Sequence, residues 1–327
     1  MTSPAATSPV DAVVGAGGRH LPALLERVEA RLAELARGHG QALARHAGAT
    51  IAAGGKRLRP LLVLLAAGED VADSGRALRA AVAVELVHSA TLVHDDVLDD
   101  ADLRRGRATV YAVAGREVAT ATGDLLFSRA FAELAAGGFS QDVRVLADAS
   151  AALARGELAQ RADAWDTSIS IDRYLQRCEL KTARLFEAAC RLGGLAAGAG
   201  PVETLGRFGS RIGLAFQLLD DVLDVSGPAS RTGKRRGADL LDGTVTLPLI
   251  LARERDPRLA SIDLRAVGSD TAAAELCDRI AATGALAESR ERAATIVAEA
   301  KALLPALPEA QRRPLGLVAD GVVDRYG

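Results

Sequence analysis

Aromatic residues are scarce in this chain. Phe, Trp and Tyr make up 3% of its 327 residues, with one Trp and one Met. Rings are among the side chains that half-buried strands favour, so their scarcity argues against an all-β core. Cysteine is scarce too. Cys178, Cys190 and Cys277 are the full set. An odd count at wide spacing excludes a disulfide framework and a close-spaced thiolate metal site, and a reducing, cytoplasmic setting is expected. Neither sign of charge dominates. The net charge is −2, which leaves no global field for nucleic acid or an anionic membrane. No apolar run approaches the ~20 residues that cross a bilayer, so stable membrane insertion is not expected. Residues 1–18 lack a basic start followed by an apolar stretch, and their Ala, Ser, Gly and Pro content reads as a disordered tail rather than a signal peptide. Lysine is nearly missing: Lys56, Lys181, Lys234 and Lys301 stand against an otherwise all-arginine basic set.

What remains is helical. Leu21, Leu24, Leu25, Val28, Leu32 and Leu35 recur at the helix period and predict a first amphipathic helix at about 20–46. Pro60 opens a second over Arg59–Ala67, at a position where its missing N–H costs little. A long apolar helix is predicted at 77–103, with others at about 116–137, 141–164, 171–197, 202–226, 245–254, 270–281, 285–304 and 309–325. Ser226–Gly243, rich in Gly, Arg, Lys and Ser, reads as a mobile loop. Strand signals are nearly absent, and no linker or short repeat divides the chain. An all-α fold is expected, with one domain at 19–327.

Asp-Asp-Val-Leu-Asp occurs twice, at Asp95–Asp99 and Asp220–Asp224. Both copies sit inside apolar, helix-like sequence. Asp95 and Asp99, at i and i+4, share a helix face one turn apart, with Asp96 turned elsewhere. Asp220, Asp221 and Asp224 repeat the pattern. Like charges at this spacing repel, and buried unpaired carboxylates are costly. One such cluster is explained as a solvated helix end. Two identical clusters call for a cation between them. All-oxygen ligands without histidine favour Mg²⁺, which leaves positions open for water or phosphate oxygens.

In an arginine-biased chain, a retained lysine points to a need for a compact ammonium. Lys56 lies in Gly54-Gly55-Lys56-Arg57-Leu58-Arg59-Pro60, where glycines and a helix N-terminus favour an anion. Lys181 precedes Thr182 in a helix that reads as buried. Lys234 follows Asp224 by ten residues, and Lys301 reads as solvated. Arg104-Arg105-Gly106-Arg107 follows the first acidic cluster, placed either to neutralise the helix end or to clamp phosphate. Glu85-Leu-Val-His88 matches the Glu-x-x-His unit of di-iron bundles, but those sites need a second such unit and two further Glu.

Taken in order, Gly54-Gly55-Lys56-x-x-Arg59-Pro60, His88, His94-Asp95-Asp96-x-x-Asp99, Arg104-Arg105-Gly106, Gly123-Asp124, Lys181-Thr182, Gln217-x-x-Asp220-Asp221-x-x-Asp224 and Thr246-Leu247-Pro248-Leu249 resemble the motif set of the trans-isoprenyl diphosphate synthases (polyprenyl synthetases), long-chain type. The resemblance runs from about residue 20 to the C-terminus. It implies an isoprenoid-synthase helical bundle around a central cavity, commonly a homodimer. It also implies about three Mg²⁺ ions that bridge aspartates and an allylic diphosphate. By this resemblance Asp95, Asp99 and Asp220 are direct metal ligands, with Asp96, Asp221 and Asp224 in support. Arg104, Lys181, Thr182, Gln217 and Lys234 would hold the allylic diphosphate, with Lys181 and Lys234 among the catalytic groups. Lys56, Arg59, His88 and Arg105 would hold isopentenyl diphosphate. One departure stands out: Thr244 occupies a position where many members of the family carry a lysine.

The product would run from the first acidic cluster back along its helix. A bulky aromatic five positions before the first Asp stops growth at fifteen carbons in the family. That position is Ala90 here, so a product of at least twenty carbons is expected, with Thr91, Val87, Phe127 and Phe131 as further wall or floor residues. Two rival readings share the fold: a class I terpene cyclase and a non-catalytic subunit of a heteromeric synthase. The first lacks the Gly-Gly-Lys and Arg-Arg-Gly sites present here, and the second tends to lose motif aspartates that this chain keeps.

Overall fold

The computed structural model describes residues 13, 15–37, 40–55, 57–69, 71, 74–104, 106–198, 201–227 and 236–324. Lys56, Arg105, Lys234 and Arg235 lie outside the described residues, as do residues 1–12 of the expected tail. The fold is almost entirely helical, as expected. The helices are α1 (Leu21–Leu35), α2 (Gln41–Ala52), α3 (Leu58–Ala67), α4 (Gly75–Leu98), α5 (Val110–Ala135), α6 (Ser140–Ala162), α7 (Ile171–Cys178), α8 (Arg184–Ala196), α9 (Val202–Ser226), α10 (Ala238–Leu241), α11 (Leu247–Arg255), α12 (Pro257–Ala260), α13 (Asp270–Ala282), α14 (Ala285–Leu303) and α15 (Glu309–Asp324).

Four expectations need adjusting. The helix predicted at 20–46 is two helices, because the chain turns at Gly40 with φ 80°. The hairpin of β1 (Leu103–Arg104) with β2 (Arg107–Ala108) takes over the end of the helix predicted at 77–103. Positive φ at Asp100 and Gly106 accompanies that change. The segment read as mobile contains α10. Val13, assigned to the tail, is buried in the core.

Local chemistry starts the central helices. Ser74 accepts from the Ala77 amide at 3.2 Å, Thr109 from Ala112 at 3.0 Å and Ser170 from Arg173 at 3.2 Å. Each side chain satisfies an amide that the first helical turn leaves open. Helix α4 is buried almost all round from Ala80 to Val87, the mark of a helix at the centre of a bundle. It packs chiefly on α5, with α3, α8 and α1 around it. Helix α8 packs on α9 and α3, and α9 packs on α14. Small residues allow these approaches. A Cβ on Gly213 of α9 would stand 2.7 Å from the Ala183 Cα, inside the contact limit of two backbones. One continuous apolar core, from Val13 to Val322, joins these elements.

Candidate active site

Helix α7 runs into α8 through a π-helical turn, Glu179–Ala183, that carries Lys181 and Thr182. Such turns absorb an extra residue and tend to occur at functional positions. This one packs against both α6 and α9, and α8 beyond it also touches α4. The Lys181-Thr182 segment therefore lies against α9, which bears the second acidic cluster, and Lys181 acts on the Asp95 carboxyl of the first. A Cβ on Gly156 of α6 would stand 2.5 Å from the Lys181 amide nitrogen, so only glycine lets α6 come this close.

Asp95 lies within the last turn of α4, and Asp99 caps that helix, exposed. Burial pushes the Asp95 carboxyl up to about 6; Glu157 and Asp99 add to the rise, while Lys181 and Arg104 oppose it. A carboxylate that is short of positive charge and sits among other carboxylates is chemically suited to a hard cation. Asp96 is different. It is buried and accepts from Arg104 Nε at 2.7 Å. Arg104, expected to clamp phosphate, thus has its Nε committed to Asp96 and neutralises the helix end.

On α9, Asp220 and Asp224 are half-buried, whereas Asp221 is buried and held from two sides. Tyr174 donates its hydroxyl to Asp221 Oδ2 at 2.7 Å, and Gln217 donates its amide to Asp221 Oδ1 at 2.7 Å. Thr182 donates its hydroxyl to Gln217 Oε1 at 2.6 Å. Burial, and then nearby Asp239, pushes the Asp221 carboxyl up to about 7 against these donors. The Asp224 carbonyl accepts from the Gly237 amide at 3.0 Å, which ties the chain before α10 to the second cluster.

Among the described residues, no three acidic, His or Cys side chains close around one ion by themselves. The donor set fits a cation whose shell is completed by water and phosphate oxygens, which is how Mg²⁺ is commonly held. Asp96 and Asp221, placed with the metal set by motif, are both turned into protein hydrogen bonds and serve to hold their helices.

Two charged side chains beside these residues were not anticipated. Glu157 of α6 forms an ion pair with Lys181 and another with Arg161 Nε at 3.0 Å. Arg161 reaches in turn to Asp99. A single Glu and one of three arginines in an Ala-rich helix carry no sequence signal beyond the i, i+4 pairing itself.

Elsewhere, Arg57 caps α3 in the left-handed region, with φ 47°. Its guanidinium meets Glu85 Oε1 at 2.7 Å, Glu29 Oε2 at 3.0 Å and the Ile51 carbonyl at 2.9 Å. Burial outweighs this pairing and raises the Glu85 carboxyl. Glu85 thus belongs to an arginine rather than to a di-iron unit with His88. Arg59 lies over the Phe186 ring, 4.6 Å from its centroid. Of the expected product-length residues, Ala90 and Val87 are fully buried. Thr91 donates to the His88 carbonyl at 2.8 Å, and Phe127 stacks on His94 at 5.7 Å.

The profile of the family described as Polyprenyl synthetase matches residues 41–283. Heptaprenyl diphosphate synthase component 2 of Geobacillus stearothermophilus is 43% identical over 82% of this chain and 84% of its own. Octaprenyl diphosphate synthase of Escherichia coli (strain K12) is 36% identical over 79% and 82%. The solved polyprenyl synthase of Caulobacter crescentus CB15, complexed with calcium and isoprenyl diphosphate, superposes with a TM-score of 0.91 at 36% identity, covering 99% of this chain and 100% of that one. The sequence match, the shared fold and the two helices with matching aspartate clusters lead to one assignment: this chain belongs to the polyprenyl synthetase family and is a prenyltransferase.

Proposed function

We propose that the site condenses isopentenyl diphosphate head-to-tail with an allylic diphosphate, giving a trans-polyprenyl diphosphate of at least twenty carbons, with Mg²⁺ as the divalent ion. The observation that carries this reading is the placement of Lys181 and Thr182 against the second aspartate helix, with Lys181 acting on Asp95 of the first, a carboxyl pushed up to about 6. About three Mg²⁺ ions, held by Asp95, Asp99, Asp220 and Asp224, would supply Lewis acidity to a departing diphosphate.

The chain's own groups do the rest. Lys181 binds the allylic diphosphate and stabilises the charge it gains as its carbon–oxygen bond breaks, while Thr182 gives its hydroxyl proton to Gln217 and orients that amide. Gln217 is oriented for the same task as Lys181. Arg59 and His88, with Lys56 and Arg105, hold the second diphosphate so that its double bond meets the allylic carbon. The apolar interior around Ala90 and Val87 keeps water from a carbocation. No protein nucleophile is required. The Thr244 departure removes one ammonium from the allylic side, and Arg236 is the nearest described substitute in sequence. Its Nε donates to the Val225 carbonyl at 2.6 Å, beside the second acidic cluster.

Incubating the purified chain with Mg²⁺, labelled isopentenyl diphosphate and primers of ten, fifteen and twenty carbons tests this reading. Label in longer prenyl diphosphates supports it, and cyclised hydrocarbon or no turnover overturns it. A homodimer is the assembly proposed. The name of the Geobacillus relative, a component 2, makes a two-subunit enzyme the specific alternative. Light scattering and the activity of the chain alone separate the two. No helix among the described residues is long and apolar enough to cross a membrane. The free, buried thiols of Cys178, Cys190 and Cys277 suit the reducing cytoplasm proposed as its location.

A further inference from the structure

Tyr174 has no place in the chemistry above, yet it is fully buried and its hydroxyl is spent on a carboxylate. From it a chain of hydrogen bonds runs through Asp221 and Gln217 to Thr182. The chain begins and ends on one helix. Tyr174 lies in α7, and Thr182 lies in the π-helical turn eight residues later. At about 100° per residue, eight residues of plain α-helix would leave the two side chains about 80° apart. Absorbing one residue in the π turn brings them to nearly the same face. Both then meet α9 along the single stripe of Gln217 and Asp221, which are i and i+4.

The roles in this chain are fixed at each link. A phenol donates to Asp221 Oδ2, which leaves Oδ1 for the Gln217 amide nitrogen. The amide can then present only its oxygen to Thr182. Reversing Gln217 would set an N–H₂ against the Thr182 hydroxyl and its oxygen against a carboxylate. Asp221 is also the residue next to Asp220, and its attachment to α7 fixes the rotation of α9 about its own axis. Asp220 and Asp224, about 100° and about 60° round that axis, are aimed by the same attachment.

We infer that Tyr174 is a positioning residue for the allylic-diphosphate half of the site: it locks Asp221, and through it the Gln217 amide, whose Nε2 has a second N–H to offer diphosphate while the Thr182 hydroxyl holds the amide oxygen. This rests on the function proposed above. Arg57, Glu85 and Glu29, whose ion pairs tie the start of α3 to α1 and α4, take no part in it. The two diphosphate sites are therefore braced separately, and removing the Tyr174 hydroxyl will disturb one and spare the other.

Tyr174→Phe keeps the ring and removes only the donor. Steady-state kinetics with each substrate varied in turn is the test, with thermal melting and calorimetric binding of an unreactive thio-analogue of the allylic diphosphate in Mg²⁺ alongside. The expected result is an allylic KM and analogue Kd raised about tenfold, an isopentenyl diphosphate KM within twofold of wild type, and a melting temperature nearly unchanged. Asp221→Asn should show the same split, and the double variant should be no worse than the worse single one, because the groups act as a unit. Should Tyr174→Phe fail to fold, Asp221→Asn carries the same readout. An unchanged allylic KM and Kd, or both substrates weakened equally together with the melting temperature, overturns the inference. If wild type transfers no prenyl group, the functional reading fails instead, and the wild-type assay shows that separately.

Discussion

Arg161, on α6, ion-pairs with Asp99, the terminal carboxylate of the first acidic cluster. Its Nε lies 3.0 Å from Glu157, one turn back on its own helix. A guanidinium on a carboxylate proposed as a metal ligand competes with the metal. Both side chains are more than a third exposed, so the competition is modest, in the range of about 0.2–1 kcal/mol for exposed pairs. Arg161→Gln is therefore expected to lower the Mg²⁺ concentration for half-maximal activity by up to about fivefold. Mg²⁺ titration of activity, and of melting temperature without substrate, reads this directly. A higher Mg²⁺ requirement in the variant would make Arg161 a diphosphate ligand rather than a competitor.

Glycine to alanine within a helix normally stabilises by about 1 kcal/mol. Gly48, in α2, has nothing within 4 Å of an added Cβ, and Gly48→Ala should follow that rule. Gly156→Ala should reverse the sign, because its Cβ would press on backbone atoms of the Lys181 turn at 2.5 and 2.7 Å. Overpacking of this kind costs about 1–3 kcal/mol. The expected outcome is a melting temperature lower by several degrees and an allylic KM raised at least tenfold. Equal, positive shifts in the two variants would show that α6 and the π-helical turn part easily.

Glu157 carries a pH signature. Burial alone would raise its carboxyl, but Lys181 and Arg161 hold it below the ordinary glutamate value. A depressed carboxyl contributes stability above its unfolded pKa and loses it as pH falls through the folded one. Metal-free wild type should therefore exceed Glu157→Gln by about 1 kcal/mol near neutrality. The gap should close below about pH 4. Denaturant melts from pH 3.5 to 8 measure it, and a gap constant across that range would detach the stabilisation from ionisation.

These groups also mark the limit of what sequence pattern conveys. The aspartate clusters were legible because two identical i, i+4 carboxylate pairs inside apolar helices have few explanations. Helix extent was legible wherever leucines and alanines kept one period. The break at Gly40 was not, because apolar residues recur on both sides of it. Nor was the Leu103–Ala108 hairpin, whose short arms carry arginines. The π-helical turn is invisible to a 3.6-residue reading, because it is a local change of period with no composition of its own. Glu157, Arg161 and Tyr174 gain their roles only from what other helices bring opposite them. Lys181, by contrast, stood out before any partner was known, because lysine is rare in this chain.

Product length is the remaining question that one side chain can decide. Ala90 lies five residues before Asp95 and is fully buried in α4. Burial alone allows two explanations for its small size: a lumen for the growing chain, or close packing against a neighbouring helix. The two diverge for Ala90→Phe. If a lumen is there, the ring occupies it at little cost in stability, and the product distribution shifts toward fifteen carbons. If the helices are simply close, the ring must displace them at about 1–3 kcal/mol, and the product length of the surviving enzyme stays put. Chromatography of products and a melting curve on the same preparation distinguish the cases. We expect shortened products with a small loss of stability. Long products from a destabilised protein would move the tunnel away from Ala90 and Val87, toward the face of α5 that carries Phe127 and Phe131.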